Sequence, residues 1–233
     1  KLEKLMLVQE KNNKGFTVLE LMIVLALVGL LSAVAYPNFS EWNHSRKVSN
    51  DVDRINSLIT NTHIQTERGS IAYVQILFES TDDGLVVEGK GLTTTSLADK
   101  INDGDNEWNT VSSSRCDTED GSYWDTDKTD TVQVIKDSVY KITLTNVSTN
   151  VTDTGAICFS RNGKFYEGSG SLEDGPVNSI ILCSVKRSTN CEIPVLISDQ
   201  KELYLHKIKW SRYGNIYKVK WLARKEASGW SDE

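Results

Sequence analysis

Residues 14–37 read KGFTVLELMIVLALVGLLSAVAYP, an apolar stretch with one charged side chain, Glu20, after its opening lysine. The 21 residues from Phe16 to Tyr36 would rise about 31 Å as an α-helix, enough to cross the hydrocarbon core of a bilayer. We therefore predict a membrane-spanning helix. Because an unpaired carboxylate costs about 2.5 kcal/mol or more at the bilayer centre and somewhat less toward its edge, we also expect a second group to pair with Glu20.

Two ordinary interpretations of the apolar stretch remain open. It can be a secretory signal peptide, for which Ala33-Val34-Ala35 offers a small-residue cleavage site, or a plain single-pass anchor. Both explain the hydrophobicity. Neither explains a carboxylate near the start of the apolar run.

The junction Gly15-Phe16, the carboxylate of Glu20, the unbroken apolar run and Pro37 together resemble the amino-terminal signature of the type IV pilins and type II secretion pseudopilins. The resemblance implies that a prepilin peptidase removes residues 1–15 as a cytoplasmic leader and methylates the new amino terminus. It implies a single-pass protein of the bacterial inner membrane with its carboxy-terminal domain in the periplasm. An inner-membrane assembly platform and other pilin subunits would then draw it into a filament.

Glu20 has a chemical role that the residues themselves suggest. Cleavage before Phe16 creates an α-amino group near membrane depth, and Glu20 of a neighbouring subunit would neutralise it and set the axial register. Within its own helix, Glu20 lies in the first turn, where the helix dipole favours a negative charge. The alternative is a glutamate that only reaches the headgroup layer.

The composition leaves room for one sizeable folded domain beyond the apolar helix. The chain has 233 residues, of which 39% are hydrophobic and 25% charged, with a net charge of −6. The first 15 residues carry four lysines and two glutamates, so a chain beginning at Phe16 would carry −8. Positive charge before the helix predicts that this end is cytoplasmic and that the bulk of the protein lies across the membrane.

Four cysteines would therefore lie where disulfides persist: Cys116, Cys158, Cys183 and Cys191. Four cysteines allow three pairings, which sequence alone does not separate. The short spacing of Cys183 and Cys191 makes them our preferred pair, which leaves Cys116 with Cys158. Zinc is the alternative, disfavoured because the sequence has no C-x-x-C pair.

After Pro37, apolar residues and one threonine recur at mostly three- and four-residue spacing, which is typical of an amphipathic helix. They are Phe39, Trp42, Val48, Val52, Ile55, Ile59 and Thr62. We predict one long helix, bent near Pro37 and ending before Gly69, in which residues 16–37 form the transmembrane and filament-core part. Residues 38–69 form the part whose apolar stripe lies on the soluble domain. We expect His44 and His63 to be solvated or capping residues rather than ligands.

Residues 70–233 are predicted to form an antiparallel β domain, which makes the fold class α+β and pilin-like. Short β-forming runs separated by Gly, Asn, Asp and Ser begin at Ile71 and continue to Ile197, and beyond Thr131 no further helix is expected. Residues 93–130 carry ten acidic and three basic side chains and are predicted to form a solvated acidic loop. No cofactor is expected, although calcium bound by Asp103–Glu107 or Asp117–Gly121 is an alternative.

One long helix followed by an all-β half resembles the GspH/FimT branch of minor pilins and pseudopilins. In that resemblance, residues 157–163 correspond to a strand-turn-glycine element and the closing hairpin around Gly214 to the terminal element. We predict the closing strands at residues 203–210 and 216–222, followed by a frayed tail at residues 226–233. The arginines that follow the hairpin glycine in DNA-binding members are absent, since Asn215-Ile216-Tyr217 stands there.

Five basic residues of this hairpin are candidates for binding DNA or another anion: Lys207, Lys209, Arg212, Lys218 and Lys220. If Lys209 pairs with Lys218 across the turn, the four lysines share one face of the hairpin. The alternative is that they only keep a sheet edge solvated.

The sequence has no nucleotide-binding loop, nucleophile elbow or metal-ligand cluster. We therefore expect a non-enzymatic minor pilin or pseudopilin, with DNA uptake during natural transformation as the alternative function.

Overall fold

The computed structural model describes residues 15–102, 116, 124, 131–133, 141–151, 153–161, 165–167, 179–186, 188, 191–193, 204–211, 215–223 and 229–232. The chain divides into two compact units, Lys1–His44 and Ser45–Glu233. A helix comes first and antiparallel β-sheets follow, so the predicted α+β fold class is confirmed.

Helix α1 (Val18–Glu67) contains 50 residues and runs through Pro37 without interruption. It ends before Gly69, as predicted. Gly69 has a φ of 88°, and its N–H donates to the carbonyl of Thr66 at 3.4 Å. This left-handed conformation favours glycine, and it is a common way for a helix to end. The bend near Pro37 stays a prediction.

The first unit contains the part of α1 up to His44, and the apolar side chains described there are exposed on every side of the helix. Leu19 is 69% exposed, Leu25 62% and Leu31 71%. Among the described residues, no helical stretch combines the length and the mean hydropathy that crossing a membrane requires.

The second unit contains the rest of α1, whose apolar stripe is buried. Val48, Val52, Ile55 and Ile59 are fully buried, and so is Thr62. These five positions confirm the predicted stripe. Phe39 and Trp42, which the same pattern predicted to be covered, are instead exposed.

Eleven strands and one short helix are assigned in the described part of the second unit. They are β1 (Ile71–Thr81), β2 (Gly84–Thr93), α2 (Thr94–Asn102), β3 (Thr131–Gln133), β4 (Lys141–Leu144), β5 (Val147–Thr149), β6 (Thr154–Ser160), β7 (Phe165–Glu167), β8 (Ser179–Ser184), β9 (His206–Trp210), β10 (Ile216–Leu222) and β11 (Gly229–Asp232).

The strands form two antiparallel sheets. The first has the order β3-β2-β1-β6-β7, with β4 also pairing with β2. The second has the order β11-β10-β9-β8-β5. Side chains from both sheets enter one core with the buried face of α1; Phe78 and Ile157 come from the first sheet, and Leu182 and Trp210 from the second.

Helix α1 approaches β2 closely at one point. A Cβ atom added to Gly89 would lie 2.7 Å from the Oγ1 atom of Thr62, closer than side-chain atoms normally approach. Glycine at this position therefore lets the helix backbone and the strand come together.

Each sheet also carries a smaller apolar cluster on its outer face. On the first sheet, Tyr73, Leu92 and Ala156 pack with Cys116 and Trp124. On the second sheet, Leu205 and the Cys183–Cys191 pair pack with two half-buried tryptophans, Trp221 and Trp230. Strand β1 is consequently buried on both of its faces along most of its length.

The acidic insert and the tail differ from their predictions. Residues 94–102 form helix α2 rather than loop, and Thr93 caps it through a hydrogen bond from the Ser96 N–H to its Oγ1 atom at 3.1 Å. Cys116 and Trp124 are buried rather than solvated. Residues 229–232 pair with β10 as strand β11, so the predicted frayed tail is wrong there. The predicted strand at 194–197 lies outside the described residues.

Candidate assembly and binding surfaces

The amino-terminal junction leads directly into α1. Gly15 and Phe16 precede the helix, and Phe16 is 84% exposed. The Glu20 N–H donates to the Oγ1 atom of Thr17 at 3.2 Å, and the Leu21 N–H donates to the Thr17 carbonyl at 3.1 Å. Thr17 is therefore the N-cap of the helix. Thr17 was not among the predicted site residues, although Thr-x-x-Glu before an apolar run is the capping-box pattern.

Glu20 presents its carboxylate to the outside of the first helical turn. Its side chain is exposed and makes no hydrogen bond or ion pair within the described part of the chain. The unsatisfied N–H groups of the first turn favour a negative charge at this position. The geometry leaves the carboxylate accessible to a cation on another molecule. The backbone of Pro37, the second predicted assembly residue, is helical.

Two disulfides stabilise the β domain, and they are the pairs that the sequence analysis favoured. Cys116 and Cys158 are joined with their Cα atoms 5.7 Å apart, and Cys183 and Cys191 with theirs 5.4 Å apart. The first disulfide attaches the acidic insert to the outer face of β6. The Nζ atom of Lys90 donates to the carbonyl of Trp124 at 3.1 Å and adds a second attachment.

The closing hairpin is present, but its register differs by one residue from the predicted one. Lys209 faces Tyr217, and Lys207 faces Val219. The loop that fixes this register is closed by two hydrogen bonds between Ser211 and Asn215: the Ser211 N–H donates to the Asn215 carbonyl at 2.8 Å, and the Asn215 N–H donates to the Ser211 Oγ atom at 3.1 Å.

The change of register separates the four lysines. Residues directly opposite each other in a sheet share a face, and neighbours along a strand alternate. Lys218 and Lys220, opposite Ile208 and His206, lie on the face that contributes Ile208 to the core. Lys207 and Lys209 lie on the outer face. The predicted surface of four lysines is therefore wrong.

Lys207 is buried on the outer face beneath Trp230. Its Nζ atom lies 4.1 Å from the centre of the Trp230 ring, and the side chain is 7% exposed. Burial, with a smaller contribution from the positive charge of Lys209, lowers the pKa of Lys207 below its usual range. The Trp230 ring also packs edge-on against Trp221 at 5.2 Å. This cation–π contact holds β11 in the sheet.

Lys218 has a structural partner on α1. Its Nζ atom lies 2.7 Å from the Oδ1 atom of Asp53. Asp51, two residues earlier, accepts a hydrogen bond from the Nδ2 atom of Asn146 at 2.9 Å. The first contact attaches the helix to β10, and the second attaches it to the bend between β4 and β5. Arg212, the fifth basic candidate, lies outside the described residues.

The two helix histidines are buried rather than solvated, which corrects the prediction. His44 is 9% exposed and His63 7%. The His63 ring meets Phe159 edge-on at 4.7 Å. Burial lowers the pKa of His63, and the nearby Glu67 carboxylate partly opposes this shift. Within the described part of the chain, no three His, Cys, Asp or Glu residues are grouped as metal ligands. The acidic residues considered for calcium lie outside it.

A cavity of about 450 Å³ lies at one end of the first sheet, between the start of β1, the end of β6 and α2. It is lined by Ala72, Tyr73, Thr94, Leu97, Ser160 and Arg161. Ser160 and Arg161 belong to the predicted strand-turn element, whose strand is confirmed as β6. The rest of that element, residues 162–163, lies outside the described residues.

Comparison with known proteins finds similarity at the amino-terminal end. The family model described as the prokaryotic N-terminal methylation motif matches residues 11–36. A fimbrial protein of Pseudomonas aeruginosa is 40% identical over 50 residues, which cover 22% of this chain and 32% of that protein. The type IV major pilin protein PilA of Myxococcus xanthus is 44% identical over 48 residues, or 21% of this chain and 22% of PilA. PilE1 of Neisseria gonorrhoeae, also a type IV major pilin protein, is 51% identical over 37 residues, or 16% and 22%.

The chain thus spans about a third or less of the length of these curated relatives. No solved structure matches it. The methylation motif overlaps the start of the capped, exposed apolar helix α1. Over this segment the chain resembles the type IV pilins.

Proposed function

We propose that this protein is a minor pilin or pseudopilin of the GspH/FimT type, with a structural and non-catalytic role in a type IV pilus or type II secretion pseudopilus. The observation that carries the proposal is Glu20. Its carboxylate has no partner in the described part of the chain, and it lies at the start of α1, whose described apolar side chains up to Trp42 are exposed.

The proposed pathway begins in the inner membrane. Residues 16–37 cross the bilayer, and the β domain lies in the periplasm. A prepilin peptidase hydrolyses the Gly15–Phe16 bond and methylates the new amino group. The methylated amine is a cation beside an apolar helix, and Glu20 of a neighbouring subunit supplies the opposite charge during lateral packing. The exposed apolar side chains then exchange lipid contacts for contacts with other helices.

The processing step is tested by mass spectrometry of the membrane fraction. The proposal expects a chain that begins with N-methylated Phe16. Gly15→Ala should block cleavage without preventing insertion, because the apolar run is unchanged. A mature amino terminus at Tyr36 would identify a secretory signal peptide and exclude the filament role.

The assembly step is tested by three substitutions of Glu20. Glu20→Ala should be processed and stable but poorly incorporated into filaments. Glu20→Gln should behave in the same way, because it keeps the size of the side chain and removes the charge. Glu20→Asp should be intermediate because its reach is shorter. Incorporation of Glu20→Ala at the wild-type level would contradict the pairing.

Anion binding is a second candidate function, supported by a smaller surface than the sequence suggested. Lys207 and Lys209 lie side by side on the outer face, and the charge of Lys209 contributes to the lowered pKa of Lys207. An anion bound at Lys209 would relieve this repulsion without reaching Lys207, which the Trp230 ring covers. Tyr217, opposite Lys209, is 52% exposed and could contact a flat ligand.

Double-stranded DNA is the natural probe of this surface. The full chain in detergent should bind with an affinity that falls with salt, and Lys209→Ala should reduce the salt slope by roughly one unit. Lys218→Ala is the matched control, because Lys218 is paired with Asp53. Binding that does not respond to Lys209→Ala would remove DNA as a ligand of the outer face.

A further inference from the structure

Three aromatic residues follow the apolar run on α1 and lie on one side of it. Tyr36, Phe39 and Trp42 are spaced by three residues, so they occupy an arc of about 120° around the helix. They are 75%, 60% and 53% exposed. The rings of Phe39 and Trp42 lie 5.7 Å apart and form one surface. We name Tyr36, Phe39 and Trp42 the aromatic arc.

The position of the aromatic arc matches the thickness of a bilayer. From Val18 to Tyr36 the helix rises about 27 Å, close to the roughly 30 Å of a hydrocarbon core. Phe39 and Trp42 lie one and two turns further. If the first turn is at one boundary of the hydrocarbon, the aromatic arc begins at the other.

The residue types change at the same point. Between Phe16 and Tyr36 the large exposed side chains are aliphatic, apart from Met22. At the aromatic arc the large exposed side chains are aromatic, and the polar residues Glu41 and Asn43 lie nearby in the sequence. Tyrosine and tryptophan combine an apolar ring with a polar group, which suits the layer of lipid headgroups better than hydrocarbon or water.

We propose that the aromatic arc is a lipid-binding surface that anchors α1 among the phospholipid headgroups on the periplasmic side and fixes the depth of the helix. The inference rests on the proposed insertion of α1 into the membrane. Interfacial aromatic residues set the depth and rotation of a single helix. In water their rings lose apolar contacts, and in hydrocarbon their polar groups lose hydrogen bonds.

The anchor places Glu20 at a defined level. A helix held at its periplasmic end cannot slide along its axis, so the first turn stays near the opposite boundary of the hydrocarbon. Each subunit would then present its Glu20 at the same height to its neighbours.

The test uses the full chain in vesicles of phosphatidylethanolamine and phosphatidylglycerol. Some vesicles contain lipids brominated on acyl carbons near the headgroup, and others contain lipids brominated near the chain end. Bromine quenches tryptophan emission on contact. We expect the headgroup-proximal label to cause the larger loss of emission. The quenched part of the emission should disappear in Trp42→Phe and remain in Trp221→Phe, the matched control in the second sheet.

Flotation of the vesicles distinguishes failure of the aromatic arc as an anchor from failure of the proposed membrane insertion of α1. A chain that floats with the vesicles but loses no emission to either label would overturn the aromatic arc as an anchor and leave insertion intact. Stronger quenching by the chain-end label would also overturn it, because Trp42 would then lie deep in the hydrocarbon. A chain that does not float would overturn both.

Discussion

The apolar side chains of α1 are exposed in the first unit and mostly buried in the second. In the first unit, Leu25 and Leu31 are more than half exposed, whereas in the second unit Ile55 and Ile59 are fully buried. Both parts are helical, so local sequence makes the helix in each case. The difference lies in periodicity. An apolar surface all round the helix requires an external partner, and a stripe with polar residues between its members matches a folded domain.

The largest effect is expected from truncating one buried residue of the stripe. Ile59→Ala should destabilise the β domain by about 2–5 kcal/mol, because it leaves a cavity between α1 and the sheets. Leu25→Ala, the matched change in the first unit, should leave the free energy of unfolding within about 0.5 kcal/mol. Denaturant unfolding of the full chain in detergent, followed by tryptophan fluorescence, measures both. Equal losses would mean that the two parts of the helix are equally covered by the fold.

Glycine-to-alanine substitutions at Gly89 and Gly29 test the same difference between the two parts of α1. Each substitution adds one carbon atom. Gly89→Ala should cost about 1–3 kcal/mol, because the new Cβ meets the buried Thr62 side chain. Gly29→Ala has nothing within 4 Å of the new Cβ and should favour the helix by about 0.5–1 kcal/mol. Thermal unfolding and far-ultraviolet circular dichroism distinguish the two outcomes. A neutral Gly89→Ala would show that α1 can move away from β2 at little cost.

A smaller effect is expected from the charged groups of the helix. Asp53→Asn should cost about 0.2–1 kcal/mol, and high salt should reduce the difference, because the contact with Lys218 is solvent-accessible. Glu20→Gln should leave unfolding unchanged, since Glu20 has no partner in the described part of the chain. If Glu20→Gln destabilises the isolated subunit, its carboxylate has an internal role that the proposed intersubunit pair does not explain.

The smallest effect concerns acid sensitivity. Burial lowers the pKa of His63, so the unfolded chain takes up a proton at this residue at a higher pH than the folded chain does. The contribution of neutral His63 to stability is therefore complete above the usual histidine pKa of about 6.5 and falls as the pH drops through the lowered pKa. His63→Gln should flatten the decline of the unfolding temperature between about pH 7 and pH 5. Parallel declines in both proteins would assign the acid sensitivity to other groups.

The long helix could be predicted from sequence because its information is local. The apolar run, the Thr17–Glu20 pair and the three- and four-residue spacing from Val48 to Ile59 all lie within a few turns of the residues they affect. The glycine that ends the helix is equally local. The sequence therefore predicted where α1 ends, and it contained the signal for the N-cap.

The arrangement of the hairpin could not be obtained in this way. The hydrogen bonds between Ser211 and Asn215 fix the register, and a shift of one residue places the lysines of one strand on the opposite face from the lysines of the other. Strand β11 depends on contacts of Trp230 with Lys207 and Trp221, of which Lys207 is more than twenty residues away in the chain. Trp124 is buried only because a distant strand supplies the surface that it covers.

The Cys116–Cys158 disulfide makes part of the chain a covalent ring. The two cysteines are 42 residues apart in sequence. A protease that cuts one peptide bond between them divides the polypeptide but does not separate its two pieces. Such a nicked protein would run as one species on a denaturing gel without reductant and as two with it. The carboxy-terminal piece would therefore stay covalently attached to the piece that carries α1 until a reductant reached the disulfide.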